Sequence, residues 1–194
     1  MEAIILAAGY SSRANAFKMT LPLGQMTVLE QTIAKFEGLC SRVIIVAGFQ
    51  AEIIQEEMEK INSKNAYSFQ MKFVFNENFS QGMFRSVQKG CNEVNTPTFF
   101  LTPGDCPLVK KETVQLLAKH TGNVVIPSFN DKGGHPIKLS SEVKEKILET
   151  NPKSNLRVVL SGYEKKYIHV DDPGVLLDVD TPEDYQKAID YNKT

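Results

Sequence analysis

Hydrophobic positions along this chain fall into two alternating patterns. Short unbroken apolar blocks occur at Ala3–Leu6 (AIIL), Arg42–Gly48 (RVIIVAG), Lys72–Phe75 (KFVF), Thr98–Leu101 (TFFL) and within NVVIP, 123–127. Between them lie stretches whose apolar residues recur every three or four positions. In TVLEQTIAKF (27–36) these are Leu29, Ile33 and Phe36; in AEIIQEEMEKI (51–61) they are Ile54, Met58 and Ile61. The first pattern predicts strands buried on both faces, and the second predicts amphipathic helices. MFRSVQKGC (83–91) and the segment Glu112–Lys119 predict two further helices. Thr27 and Glu30 have the spacing of a capping box.

After Pro127 the order loosens. NDKGGHPIKL (130–139) predicts a turn-rich loop entering a strand, followed by helices near Glu142–Glu149 and Leu156–Leu160. KYIHV (166–170) and GVLLDVD (174–180) are strand-like, and TPEDYQKAIDY (181–191) predicts a closing helix with Thr181 as N-cap and Pro182 at its first position. Strand and helix in alternation predict an α/β fold: a Rossmann-like, mainly parallel sheet with helices on both faces. No internal repeat or linker interrupts 1–194, so a single domain is expected.

Composition narrows the classes. Apolar residues make up 42% and charged residues 23% of the chain, which suits a globular core. The formal net charge of −1 leaves no electrostatic footprint for nucleic acid. The N-terminus lacks the basic region of a signal peptide, and no apolar run reaches membrane-spanning length. Cys40, Cys91 and Cys106 form no C-x-x-C pair, so no disulfide framework is expected, and the expected compartment is the reducing cytoplasm.

The chemistry-bearing residues gather just past strand ends. LAAGYSSRANAFKMTLPLG (6–24) is a cationic, glycine-containing loop that matches neither common phosphate-loop pattern. It carries Gly9, Ser11, Ser12, Arg13 and Lys18. Gly82, Arg85 and Ser86 follow the third strand, Asp105 follows the fourth, and Asp178 and Asp180 end the last strand-like segment. A parallel sheet binds ligands at the carboxyl ends of its strands, so these residues can converge there. Hard carboxylate oxygens suit magnesium, which completes its shell with phosphate and water. Arg13 can fork onto phosphate oxygens and Lys18 can add a point charge. The implied ligand is a nucleoside triphosphate with Mg2+. Taken alone, each aspartate also fits a turn or cap, and Arg13 and Lys18 also fit ordinary surface charge. His135, between Gly134 and Pro136, also fits a loop histidine bonded to backbone, and Cys106 reads as a buried thiol. Met83-Phe84 reads as packing, and His120 and His169 carry no functional signal.

Five segments in order carry a family resemblance. LAAGYSSRANAFK, QGMFRSVQKG, LTPGDCPLV, GGHPIKL and GVLLDVDTPEDY resemble the motifs of the molybdenum cofactor nucleotidyltransferases. Ala8, where guanylyltransferases typically have glycine, is similar to the cytidylyltransferase branch. The resemblance implies the nucleotidyltransferase fold and transfer of CMP from CTP to the phosphate of molybdopterin. It implies that Leu6, Ala7, Ala8 and Gly9 approach the nucleotide through backbone, and that Arg13 and Lys18 bind the triphosphate. Gly82 and Ser86 would hold base or ribose, and Asp105 and Asp180 the metal, Mg2+ with Mn2+ as an alternative. Arg13, Lys18 and Asp105 would carry the catalysis, while His135 and Arg157 would face the pterin substrate. Transient contact with a recipient molybdoenzyme follows from the same resemblance. Ala14-Asn15 stand where the family has Met-Gly, and KSNLRVV (153–159) replaces a Gly-Ala-Arg segment. Other readings stay open: use of GTP, another phosphorylated small-molecule acceptor, or a non-catalytic cofactor-binding accessory protein.

Overall fold

The computed structural model describes residues 1–9, 17–64 and 67–192. In chain order its elements are β1 (Glu2–Ala7), β2 (Pro22–Leu23), β3 (Met26–Thr27), α1 (Val28–Ala34), β4 (Arg42–Ala47), α2 (Ala51–Lys64), β5 (Gln70–Phe75), α3 (Met83–Cys91) and β6 (Thr98–Pro103). They continue with α4 (Lys111–Lys119), β7 (Val124–Phe129), β8 (Lys132–Gly133), β9 (Ile137–Ser140), α5 (Ser141–Glu149), α6 (Leu156–Leu160), β10 (Lys165–His169) and α7 (Pro182–Tyr191). The main sheet runs β10-β7-β9-β6-β1-β4-β5, with β8 paired to β7. β1 is parallel to both neighbours, with Ile4 opposite Ile44 on one side and Leu101 on the other. The β4/β5 and β7/β10 pairs are also parallel, and β9 alone on this path runs antiparallel to its neighbours β6 and β7.

The unbroken apolar blocks become strands, covered on both faces in β1, β4, β6 and β7, whereas β5 lies at the sheet edge, largely half-buried and with Phe75 exposed. All six residues of β1 are buried, and successive side chains enter opposite cores. Ala3, Ile5 and Ala7 pack with Leu29, Ile33, Ile54 and Ile61 of α1 and α2. Ile4 and Leu6 pack with Val87 of α3, Val143 and Ile147 of α5 and Val159 of α6. Full burial of each such aliphatic side chain stabilises by roughly 1.5–3 kcal/mol. The helices begin where the sequence provides caps. Thr27, Ser140 and Asn155 accept backbone N–H bonds at the starts of α1, α5 and α6, and Thr181 with Asp184 forms a capping box for α7.

The strand order changes direction at β1: the chain builds outward through β4 and β5 on one side, then returns to place β6 on the other. A crevice at the carboxyl ends of β1 and β6 is the expected consequence.

One expected strand is not formed. Residues 174–180 begin inside a 3-10 helix, Pro173–Leu176, and then run on irregularly. The Asp172 carboxylate accepts the Gly174 N–H at 3.0 Å, and Pro173 occupies the first helical turn, so the chain coils before its apolar residues can pair. Past it, Val179 N–H donates to the Asp105 carbonyl at 2.9 Å instead of joining a ladder. The short strands β2, β3 and β8 lie below the length at which period-2 alternation can be seen.

The loop leading to His135 depends on close backbone approach. Gly134 N–H donates to Pro127 O and His135 N–H to Val175 O, each at 2.8 Å. A β-carbon on Gly134 would lie 2.1 Å from the Val175 carbonyl oxygen. Gly134→Ala is therefore expected to lower stability by about 1–3 kcal/mol, as overpacking does. Urea unfolding checks this, and an unchanged midpoint would contradict the contact.

Candidate active site

The carboxyl ends of β1 and β6 are held together by a bond from Gly104 N–H to Leu6 O at 2.9 Å. A β-carbon on Gly104 would fall 3.0 Å from Met19 Sδ, so the bare glycine lets the Asp105 turn lie flat against β1. Thr32 of α1 donates its hydroxyl to Gly104 O at 3.0 Å and fixes the turn from behind. A second bare position, Gly48, abuts Ala8 and Phe79 so closely that a β-carbon would sit 2.4 Å from Phe79 Cβ. The cleft left between these segments holds about 280 Å³. Its lining brings together Leu6, Ala8, Gly9, Lys18, Gly82, Ser86 and Asp105 from four separate parts of the chain. Gly82 has φ +109°, a conformation that strains any residue with a β-carbon, and it turns the chain into α3.

Lys18 is the electrostatic centre of this cleft. Its ammonium donates to Asp105 Oδ2 and, at 2.8 Å, to Asp180 Oδ1. The lysine is 9% exposed and Asp105 7% exposed. Burial pushes the ammonium's pKa down, but the charges and hydrogen bonds of Asp105 and Asp180 outweigh it, so Lys18 stays above its usual value and remains protonated. Asp178 lies nearby, its carboxyl raised by burial and by the charges of Asp180 and Asp105. The Val179–Asp105 backbone bond carries Asp180 to the same point.

The Lys18 ammonium tests whether a metal fits. It is a cation shared by two carboxylates from distant loops, so Asp105 and Asp180 already converge on one positive charge. Their hard oxygen donors suit Mg2+ or Mn2+, which take carboxylates together with phosphate oxygens. No ready-made cluster of three or more His, Cys, Asp or Glu occurs among the described residues, so the rest of a metal's shell would have to come from substrate and water.

A second cleft of about 360 Å³ adjoins the first and shares Leu6, Met83 and Pro103 with it. Its lining is mostly apolar, and its polar groups are His135, Asn155 and Arg157. Arg157 is exposed in the first turn of α6, whose start is held by Asn155 Oδ1 accepting Val158 N–H at 3.0 Å. The Nδ1 atom of His135 is buried with no hydrogen-bond partner among the described residues. Burial lowers the His135 pKa despite the opposing charge of Asp105, so the imidazole is neutral near pH 7.

Several residues picked out in the sequence lie elsewhere. Arg13, with Ser11, Ser12, Ala14 and Asn15, falls outside the described residues. The Ala7 side chain points into the α1/α2 core, so any contact it makes with a ligand is through backbone. Arg85 lines a separate polar pocket with Lys89 and Asn92. Phe84 is core as expected, but Met83 is 68% exposed on the rim of both clefts, which corrects its reading as packing. Cys40, Cys91 and Cys106 are free and buried; burial pushes Cys40 and Cys91 to about 12 and Cys106 well above the usual thiol value, so none is an activated nucleophile. One residue escaped sequence reading: Asn76, buried at the end of β5, which hydrogen-bonds Ser86 behind the first cleft. Its only signal was an asparagine at a strand end, which a turn explains equally well.

A switch-point crevice with a lysine-bridged carboxylate pair defines this protein as a nucleotidyltransferase, and comparison with known proteins agrees. The chain belongs to the family of MobA-like NTP transferase domains, whose model matches residues 3–168. It is 30% identical to the molybdenum cofactor cytidylyltransferase of Escherichia coli K12 over 97% of this chain and 95% of that one. It is 24% identical to a probable molybdenum cofactor guanylyltransferase of Carboxydothermus hydrogenoformans, covering 95% and 93%. Among solved structures, a Methanothermobacter nucleotidyl transferase matches with a TM-score of 0.83 at 19% identity, covering 99% and 97%. A Mycobacterium tuberculosis H37Rv protein in complex with manganese matches with a TM-score of 0.74 at 21% identity, covering 97% of each chain. These two likenesses establish the fold.

The lowered His135 pKa makes a prediction about stability. Below the unfolded value of 6.5 the unfolded chain takes up a proton that folded His135 does not. The stability is therefore full above pH 6.5 and is lost as pH falls through the folded value. His135→Gln is expected to flatten that acid-side loss, measured as the difference between the two proteins' unfolding free energies from pH 7.5 downwards. Parallel pH profiles for the two proteins would contradict a neutral, buried His135.

Proposed function

We propose that this protein, acting as one domain, transfers the CMP unit of CTP to the terminal phosphate of molybdopterin and releases pyrophosphate. The observation that carries the reading is the Lys18 bridge between Asp105 and Asp180, set in a cleft that opens onto a second cleft bearing His135 and Arg157. The cytidylyltransferase relative from E. coli and the alanine at position 8 support CTP as donor.

The acceptor phosphate needs no general base. A phosphate monoester is largely dianionic at neutral pH, its second pKa being about 6. One of its oxygens attacks the α-phosphorus of the nucleotide, a new P–O bond forms, and the bond to the β-phosphate breaks. The protein's contribution is alignment and charge. Leu6, Ala8 and Gly9 bring backbone close to the nucleotide, and Gly82 and Ser86 hold its base or ribose. Asp105 and Asp180 would hold a divalent cation, Mg2+ or Mn2+, which would neutralise phosphate charge and act as a template. The Lys18 ammonium would stabilise charge developing on the triphosphate towards pyrophosphate. Arg13 joins it there. Neutral His135 and cationic Arg157 orient the acceptor in the second cleft. Use of a divalent cation accords with the manganese complex of a mycobacterial protein of the same fold.

A GTP-using reading is favoured by the guanylyltransferase relative and is decided by the same experiment. We place the protein in the cytoplasm, consistent with its free thiols; among the described residues no helix is long and apolar enough to cross a membrane.

With molybdopterin and Mg2+, the protein is expected to release pyrophosphate from CTP faster than from GTP. Lys18→Ala is expected to lower turnover by roughly 10²–10³, as loss of one transition-state donor does. Asp105→Asn is expected to abolish metal-dependent turnover with the circular-dichroism spectrum retained. Tight CTP binding without pyrophosphate would identify an accessory protein, and a preference for GTP would overturn the cytidylyl assignment.

A further inference from the structure

Ser86 lines the first cleft, and its hydroxyl meets the Asn76 side chain, each residue being only 2% exposed. Asn76 is anchored by its own backbone, whose N–H donates to Ala47 O at the end of β4 at 2.8 Å. Its side-chain amide is oriented in one sense. The Asn78 backbone N–H meets Asn76 Oδ1 at 3.1 Å. A backbone N–H can only donate, so the amide oxygen must lie on that side and the NH2 group on the other. Nδ2 then donates to Ser86 Oγ at 2.9 Å. The hydroxyl accepts there, so its own proton is left to donate. In a helix the usual competitor for that proton is the carbonyl four residues back, as at Thr32, whose one hydroxyl proton is shared between Val28 O and Gly104 O, each at 3.0 Å. Among the described residues, Ser86 makes no such bond.

We infer that Asn76 is a positioning residue that sets base specificity by occupying one lone pair of the Ser86 hydroxyl and leaving its proton to be donated to position 3 of a pyrimidine base. This rests on the reading that the first cleft takes the base. Facing an acceptor at position 3 the hydroxyl pairs in full, whereas facing N3–H it can accept with its second lone pair only by leaving its own proton desolvated and unpaired. Cytosine offers the N3 acceptor beside its amino group, whereas uracil offers N3–H beside a carbonyl, so CTP and UTP exchange donor and acceptor on this edge. Guanine and adenine exchange them in the same way.

The test is the ratio of CTP to UTP affinity, measured calorimetrically with Mg2+ on the full chain and its variants. The wild type is expected to bind CTP at least roughly tenfold more tightly, the effect of one buried hydrogen bond made or lost. Ser86→Ala removes the donor and is expected to bring the ratio towards unity. Asn76→Asp keeps the shape but accepts from both Asn78 N–H and Ser86 O–H, so the serine turns a lone pair to the cleft and the ratio should fall further and favour UTP. Adding Asn76→Asp to Ser86→Ala should then change nothing more. If Asn76→Asp does not fold, Asn76→Ala takes its place, with a ratio expected between wild type and Ser86→Ala. A wild-type ratio retained in Ser86→Ala, or both affinities falling equally in the Asn76 variant, overturns the inference. If the wild type prefers GTP to CTP, only the cytidylyl reading fails, and GTP against ATP becomes the deciding pair in the same variants. No preference within either pair overturns the inference.

Discussion

The buried strand β1, gripped by β6 on one side and β4 on the other, is the constraint on which the rest of this structure depends. Its side chains are divided between two apolar cores, so it cannot slip by one residue without sending Ile4 and Ile5 to the wrong layers. That register sets where β1 ends, and its end sets the floor of the cleft. The Gly104–Leu6 backbone bond then places the Asp105 turn beside it, and Val179 brings Asp180 to the same point. A site assembled from such distant segments is held in place by the sheet and not by local sequence.

At that point the molecule concentrates charge. Two carboxylates and a nearby third would repel one another strongly in a partly buried cleft, and the Lys18 ammonium satisfies the first two together. Losing one partner of a buried pair is far more costly than the pair's net worth, because the remaining charge is left unpaired. The apolar second cleft, with its neutral histidine and exposed arginine, differs in character. Two adjoining clefts of unlike chemistry suit two unlike substrates meeting at one phosphorus.

The elements themselves were largely legible. Unbroken apolar blocks became the central strands, and Thr27, Thr181 and Pro182 marked helix starts where the structure has them. Residues 174–180 were misread because apolar content alone does not distinguish a strand from a coil pinned by the Asp172 carboxylate. Arg85 and Ser86 are adjacent in sequence and looked equivalent, yet the helix turns them to different faces, one lining a separate pocket and one the cleft. Met83 and Phe84 separate in the same way, one to the rim and one to the core.

By itself the sequence determined the α/β class, the order of its elements and the types of residue available for phosphate and metal chemistry. These follow from hydrophobic periodicity and residue chemistry, which are local. Only the tertiary structure decided that Lys18 bridges Asp105 and Asp180, that His135 and Arg157 share a cleft next to theirs, and that Asn76 holds the amide behind Ser86 in one orientation. Each of these joins residues far apart in the chain or turns neighbours to different faces. Distance and direction across a folded sheet come from the packing of its layers, and no single segment contains them.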